Sequence, residues 1–144
     1  MTASGADLSG RTLAPGRARG EVLVLEEPLS FWGGMDPASG RVLDRHHPQS
    51  GVTLSGRVVA MPSGRGSSSS SSVLAEAIRA GTAPAAVILV EPDVIVALGS
   101  IVAAELYGAE VPVVSVSPEV MAGLSSGERV AVRAFSESAE ITRV

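Results

Sequence analysis

Apolar runs and helix-like segments alternate along the second half of the chain. The strands expected there are Ala85–Val90, Val111–Val116 and Glu128–Phe135. Residues 101–107 have the spacing of a helix that Gly108 ends, and Ser117 is placed to cap a short helix through Leu124. This order of strand, helix, strand, helix, strand predicts a mostly parallel sheet with flanking helices in this half.

The first half contains strands and loops in place of this alternation. Its strands are predicted at Glu21–Leu25 and Arg57–Met61, and its main loops at Pro28–Gly40 and Asp44–Gly51. The first residues are rich in Gly, Ala, Ser and Arg and show no apolar period. We therefore expect a flexible tail over residues 1–15 and a single α/β domain over residues 16–144.

The composition favours a protein partner over a nucleic acid or a membrane. All eleven basic residues are arginines and the net charge is −4, so the basic face that nucleic acids require is not expected. No apolar segment is long enough to span a bilayer, and no signal sequence is visible, so a cytoplasmic location is expected. Only 18% of residues are charged, against about 25% in an average domain, and such a surface indicates a permanent partner.

The segment between the strand at 57–61 and the next helix carries the most distinctive chemistry. Gly64-Arg65-Gly66 is followed by six serines that lead into an amphipathic helix over residues 69–79. A strand, a tight basic turn and a helix N-terminus form a pocket suited to an anion. A serine run also suits a flexible linker, but the flanking segments are too short to be separate domains. We therefore predict an oxygen-lined anion site beside Arg65.

Several known motifs are excluded for this segment. The Walker phosphate loop needs a lysine, and the chain contains none. The segment lacks the third glycine that a dinucleotide-binding fingerprint would require after Gly64 and Gly66. It also does not match the Gly-x-Ser-x-Gly nucleophile elbow of serine hydrolases. Because the chain has no cysteine, it provides no thiolate for a metal or an iron–sulfur cluster.

The loops of the first half hold further residues of interest. Trp32, the sole tryptophan, precedes two glycines in a predicted loop. A large apolar side chain in a solvent-exposed loop is expected only where it packs on a partner or on a neighbouring loop. Asp36 precedes a proline, and this pair of residues is typical of a turn. The adjacent His46 and His47 favour a structural role in their loop over a metal site. Asp36 and His47 are nevertheless kept as possible site residues.

Four short motifs follow one another within about residues 16 to 115. They are Phe31–Gly40 (FWGGMDPASG), Asp44–Pro48 (DRHHP), Gly64–Ser69 (GRGSSS) and Gly81–Pro84 (GTAP). Together they resemble the small subunit of the aconitase X family. The resemblance implies that this chain forms the swivelling β/β/α domain of an aconitase taken apart. It also implies a cysteine-bearing large subunit that holds the iron–sulfur cluster, and no metal ligand on this chain.

The resemblance further implies a hydro-lyase that acts on a small hydroxy acid. Known members dehydrate cis-3-hydroxy-L-proline in bacteria or 5-phosphomevalonate in archaea, and the Lys-free, Ala- and Arg-rich composition favours the bacterial substrate. In aconitases a serine in a Gly-Ser-Ser-Arg stretch is the base, and the matching position directly after Gly66 is Ser67. Arg65, Gly66 and Ser68 would then bind the substrate. The order of arginine and serines differs from that in aconitase itself.

The chemistry explains why two chains would be needed. A neutral serine is a poor base, and a helix N-terminus stabilises its anion by only roughly 0.3–1 kcal/mol. Arg65 and the amides of the turn can add to this stabilisation, and a closed, water-poor cleft against a metal-bearing partner would strengthen these electrostatic interactions. This chain is therefore expected to be inactive alone. Two other classes remain open from the residues: a stand-alone anion-binding module and a regulatory or scaffolding subunit.

Overall fold

The computed structural model describes residues 8–144, whose strands close into a seven-stranded barrel. The strands are β1 Leu8–Ala14, β2 Gly16–Val24, β3 Val58–Met61, β4 Ala86–Leu89, β5 Val113–Ser115, β6 Arg129–Ala134 and β7 Ser138–Arg143. The helices are α1 Phe31–Gly34, α2 Ser70–Ala80, α3 Val94–Tyr107 and α4 Pro118–Ala122. Around the barrel the strand order is β1-β5-β4-β3-β2-β6-β7.

The prediction of an α/β domain with a mostly parallel sheet and flanking helices is wrong. Only the arc β2-β3-β4-β5 is parallel. The remaining neighbours, β1 with β5 and β7 and β6 with β2 and β7, are antiparallel and close the sheet into a mixed barrel. The apolar runs predicted to continue a parallel sheet include β6, which pairs antiparallel with β2 from Gly16–Ala134 to Glu21–Arg129. The direction in which a strand pairs depends on partners that are distant in the chain. The local residue pattern of β6 therefore does not indicate whether it pairs parallel or antiparallel.

The segment predicted as a tail contributes a strand instead. Residues 8–14 form β1, with Leu8 opposite Ile141 and Arg11 opposite Ser115. Gly10 allows this fit, because a Cβ there would collide with the carbonyl oxygen of Ser115. The tail prediction is therefore wrong for residues 8–14, and residues 1–7 lie outside the described part of the chain.

Two apolar cores lie on the two faces of the parallel arc. The barrel interior is filled by residues such as Val22, Val58, Ala60, Ile88, Val132 and Ile141. The outer face is packed under α2 and α3 by residues such as Val59, Met61, Val87, Leu89, Leu74 and Val96. Successive residues of a strand point to opposite faces, so both faces of β3 and β4 are buried. Continuous apolar runs are the result.

The parallel arc brings several loops to one edge of the barrel. β3 ends at Met61 and leads into the serine segment, while β4 ends at Leu89 and leads into α3. The amides of Val90 and Glu91 both donate to the carbonyl oxygen of Pro62, at 3.2 and 3.0 Å, and hold the two loops together. Ligands commonly bind at the carboxyl ends of parallel strands, so this edge is the place to look for a site. None of the helices described is long and apolar enough to cross a membrane.

Candidate active site at the serine turn

The serine segment forms a tight turn that enters α2 directly, as the helix pattern predicted. Ser67 is half-buried, and its Oγ accepts a hydrogen bond from the amide of Ser69 at 3.3 Å. Its carbonyl oxygen accepts the amide of Ser70 at 2.9 Å. The Ser67 hydroxyl therefore lies at the N-terminus of α2, where the helix dipole favours negative charge.

The residues around Ser67 form one exposed turn. Arg65 is anchored by its backbone, whose amide donates to the carbonyl oxygen of Leu29 at 3.3 Å. Its guanidinium is exposed and forms no hydrogen bond or salt bridge with residues 8–144. Gly66 and Ser68 are also exposed. The four predicted site residues are consecutive and share this turn, which carries an exposed cation at Arg65 and a hydroxyl at Ser67. Such a cation suits a carboxylate.

Asp93 supports the turn and was missed by the sequence analysis. Its Oδ1 caps α3 by accepting the amides of Ile95 at 2.9 Å and Val96 at 3.1 Å. Its Oδ2 lies against Gly64, so closely that a Cβ at position 64 would collide with it. The capping role has a sequence signal, an Asp directly before an apolar helix. The contact with Gly64 has none, because it joins two loops far apart in the chain.

The later serines of the run do not face the site. Ser70 is only 3% exposed, and its Oγ lies 3.2 Å from the amide nitrogen of Trp32 and from Ser30 Oγ. The hydroxyl of Ser71 donates to the carbonyl oxygen of Ile95 at 2.6 Å. Ser70 therefore fastens the loop of Trp32 to α2, and Ser71 fastens α3 to α2. The indole of Trp32 remains 57% exposed beside this first turn.

Asp36 lies away from the serine turn. Its carboxylate accepts the amide of Ala38 at 2.9 Å and the hydroxyl of Ser39 at 3.0 Å, which makes an Asx turn. That turn is bonded to the far end of α2, where Thr82 donates to the carbonyl oxygen of Pro37 at 2.6 Å. At about 1.5 Å per residue, the 11 residues of α2 separate the two ends by roughly 16 Å.

His47 is buried and both of its ring nitrogens are engaged. It is 4% exposed, with Nε2 at 3.0 Å from the carbonyl oxygen of Glu27 and Nδ1 accepting the amide of Gln49 at 3.1 Å. Gln49 in turn donates to the carbonyl oxygen of Val24 at 2.6 Å. These contacts hold the histidine loop against the chain that leaves β2, and they account for His47 without a catalytic role.

The comparisons with known proteins identify the family. A family model described as the aconitase X swivel domain matches residues 7–141. The chain belongs to this family. The swivel domain is 58% identical over 103 residues to a Pseudomonas aeruginosa protein named cis-3-hydroxy-L-proline dehydratase. The match spans 72% of this chain but only 18% of that protein, so the chain covers less than a fifth of its length.

Two further chains are matched over almost their whole length. The phosphomevalonate dehydratase small subunit of Thermococcus onnurineus is 38% identical over 134 residues, which is 93% of this chain and 97% of that one. The crystal structure of Thermococcus kodakaraensis aconitase X in its holo-form superposes with a TM-score of 0.80 at 36% identity. That superposition covers 93% of this chain and 96% of the other. The resemblance to aconitase X is therefore confirmed, and the fold is a swivel domain built on a closed mixed barrel.

The family implies an iron–sulfur cluster on the large subunit of the enzyme. The donors of the present chain do not fit such a cluster. The chain has no cysteine, and within residues 8–144 no group of three or more His, Cys, Asp or Glu side chains is placed to hold a metal ion.

Proposed function

We propose that this chain is the small subunit of an aconitase X-type dehydratase and that Ser67 acts as its base. The observation that carries the proposal is the position of Ser67 Oγ at the N-terminus of α2, where it accepts the Ser69 amide at 3.3 Å. The exposed guanidinium of Arg65 lies two residues away in the same turn. Membership of the aconitase X swivel-domain family supports the reaction type.

The turn stabilises an ionised serine in two ways. The helix N-terminus contributes roughly 0.3–1 kcal/mol, and a hydrogen bond to a charged group about 1.5–3 kcal/mol. These contributions are too small to ionise a serine hydroxyl at neutral pH. Exclusion of water strengthens both terms. A partner that closes over Ser67 is therefore part of the proposal, and the chain is proposed to be inactive alone.

The proposed substrate is cis-3-hydroxy-L-proline. Ser67 would take the proton from C2 as the C3–O bond breaks, so that this proton and the departing hydroxide together make the released water. The resulting enamine would tautomerise to Δ1-pyrroline-2-carboxylate. Arg65 would hold the carboxylate, and the partner would supply the electrophile for the departing hydroxyl. The name of the 58% identical relative supports this substrate. One arginine in the turn also suits a single carboxylate better than a phosphorylated acid with more negative charge.

The alternative substrate is 5-phosphomevalonate, which the 38% identical archaeal small subunit favours by its name and by its nearly full-length match. The test is to co-express this chain with its cognate large chain and to offer both substrates to the purified complex. We expect a 1:1 complex that forms Δ1-pyrroline-2-carboxylate, followed by mass spectrometry, and no turnover by either chain alone. Turnover of 5-phosphomevalonate alone would refute the substrate. Binding of a hydroxy acid by this chain without turnover in any complex would favour an anion-binding module.

A further inference from the structure

Helix α3 is apolar on its outward side as well as on its inward side. Val96, Ala97 and Ala103 face inward and belong to the outer core. The outward residues are large, apolar and exposed: Val94, Leu98, Ile101, Val102, Leu106 and Tyr107. They are six of the ten exposed large hydrophobic side chains in residues 8–144, and we call them the α3 face. A surface helix normally presents polar residues outward, so a helix that is apolar all round is expected to be covered.

The α3 face borders a groove between α2 and α3. The groove has a volume of about 380 Å³ and is lined on the α3 side by Leu98, Val102 and Tyr107. Gly99 forms a close contact between the helices, because a Cβ there would collide with the backbone of Ser71. Glu76 is the charged residue of the lining.

Few charged side chains lie near the groove, and the charge of Glu76 is compensated by a salt bridge. Glu76 is bridged by Arg79 at 2.7 Å, and this hydrogen bond lowers the pKa of the Glu76 carboxyl. Within α3 itself, Glu105 is the only charged residue. The exposed apolar side chains of the α3 face therefore suit an apolar protein surface.

The α3 face begins next to the serine turn. Asp93 joins the start of α3 to Gly64, and the hydroxyl of Ser71 donates to the carbonyl oxygen of Ile95 at 2.6 Å. Val94 and Leu98 thus lie on the first turns of a helix that starts against Gly64, three residues before Ser67 in the serine turn. A body large enough to close over Ser67 would extend onto this face.

We propose that the α3 face is the docking surface for the cluster-bearing large chain of the complex. The proposal rests on the proposed function, which requires a partner over Ser67. The matched region makes up only 18% of the Pseudomonas aeruginosa relative, so there the same domain is joined to a far larger body. Subunits that are permanently associated typically meet through an apolar interface. A second copy of this chain is the competing occupant, and the labelling of the isolated chain distinguishes it from the large chain.

The absence of cysteine gives a direct test. Leu98→Cys, at a position that is 51% exposed, introduces the only thiol of the chain. Phe135→Cys is the matched control: Phe135 is 43% exposed and follows β6, which ends at the opposite edge of the barrel because it runs antiparallel to β2. Both variants are treated with N-ethylmaleimide, alone and with the large chain, and the mass of this chain is followed. We expect the large chain to slow labelling at Leu98→Cys by at least about tenfold and at Phe135→Cys by less than about twofold.

A disruptive variant gives the second readout. Leu98→Glu/Ile101→Glu should lose co-elution with the large chain while Phe135→Glu keeps it, with folding of each isolated variant checked by circular dichroism. Equal labelling of Leu98→Cys with and without the large chain overturns the docking proposal. Failure of the wild-type chains to associate, or protection that already exists in the isolated chain through self-association, also overturns it. A complex that protects Leu98→Cys but dehydrates neither substrate leaves the docking surface supported and refutes the proposed function.

Discussion

Gly64 lies directly against the carboxylate of Asp93, whose Oδ2 occupies the space that a Cβ at position 64 would need. The other oxygen, Oδ1, caps α3 through the amides of Ile95 and Val96. The turn after β3 and the helix after β4 are thereby locked to each other. The position of the serine turn consequently depends on a residue that takes no part in the proposed chemistry.

Gly64→Ala should therefore disturb both the fold and the turn. The collision with Asp93 should lower the free energy of unfolding by about 1–3 kcal/mol, as overpacking does, and should reduce turnover of the complex. Gly66→Ala is the control for stability, since a Cβ at Gly66 meets no atom within 4 Å. Adding Asp93→Ser should recover most of the loss, because serine still caps α3 but lacks Oδ2. Urea unfolding of the single and double variants measures the coupling, and additive effects would contradict the contact.

Ser67→Ala should abolish the proposed base without unfolding the domain. We expect turnover of the complex to fall by about 10²–10⁴-fold, the range for loss of a general base, with the iron content unchanged. Ser69→Ala is the matched control, because Ser69 is exposed and its side chain makes no capping bond. A Ser67→Ala enzyme with nearly normal turnover would move the base to Ser68 or to the large chain.

Arg65→Lys should separate substrate binding from chemistry. If the guanidinium grips a carboxylate with two hydrogen bonds, lysine keeps the charge but loses the second bond. The Michaelis constant should then rise more than turnover falls. The measurement is a full saturation curve for the complex with each substrate. An equal loss in kcat and in kcat/KM would instead assign Arg65 to stabilising charge in the transition state.

Ser70→Ala should loosen the loop of Trp32. Removing the buried hydroxyl leaves the Trp32 amide without its acceptor, which costs about 1–3 kcal/mol when such a group is buried. Trp32 is the sole tryptophan, so its fluorescence and acrylamide quenching report this loop alone. Ser72→Ala controls for the gain in helix propensity at a neighbouring exposed position. Unchanged quenching in Ser70→Ala, with the same unfolding midpoint as Ser72→Ala, would show that the bond does not hold the loop.

Local features of the chain were predictable from the sequence. The strand over β3, the serine turn and the helix α2 with its stop at Gly81 were all correctly placed, because each depends on neighbours within a few residues. Gly81 does adopt the left-handed conformation, with φ at 80°, that a helix stop uses. The ordered motifs from Phe31 to Pro84 are also sufficient to indicate the aconitase X family, which the family model confirms.

The sequence by itself therefore determined the elements around the serine turn and the family, while only the tertiary structure decided the closed barrel and the surroundings of the turn. β1 pairs with β7 across more than a hundred residues, and its Leu-Ser-Gly-Arg pattern resembles a loop because Ala14 is the only fully buried residue of the strand. Asp36 was separated from Ser67 by the length of α2, and Asp93 was brought to Gly64 by the packing of two parallel strands. Local propensity is set within a few residues, whereas contacts between distant segments arise when the chain buries its apolar faces.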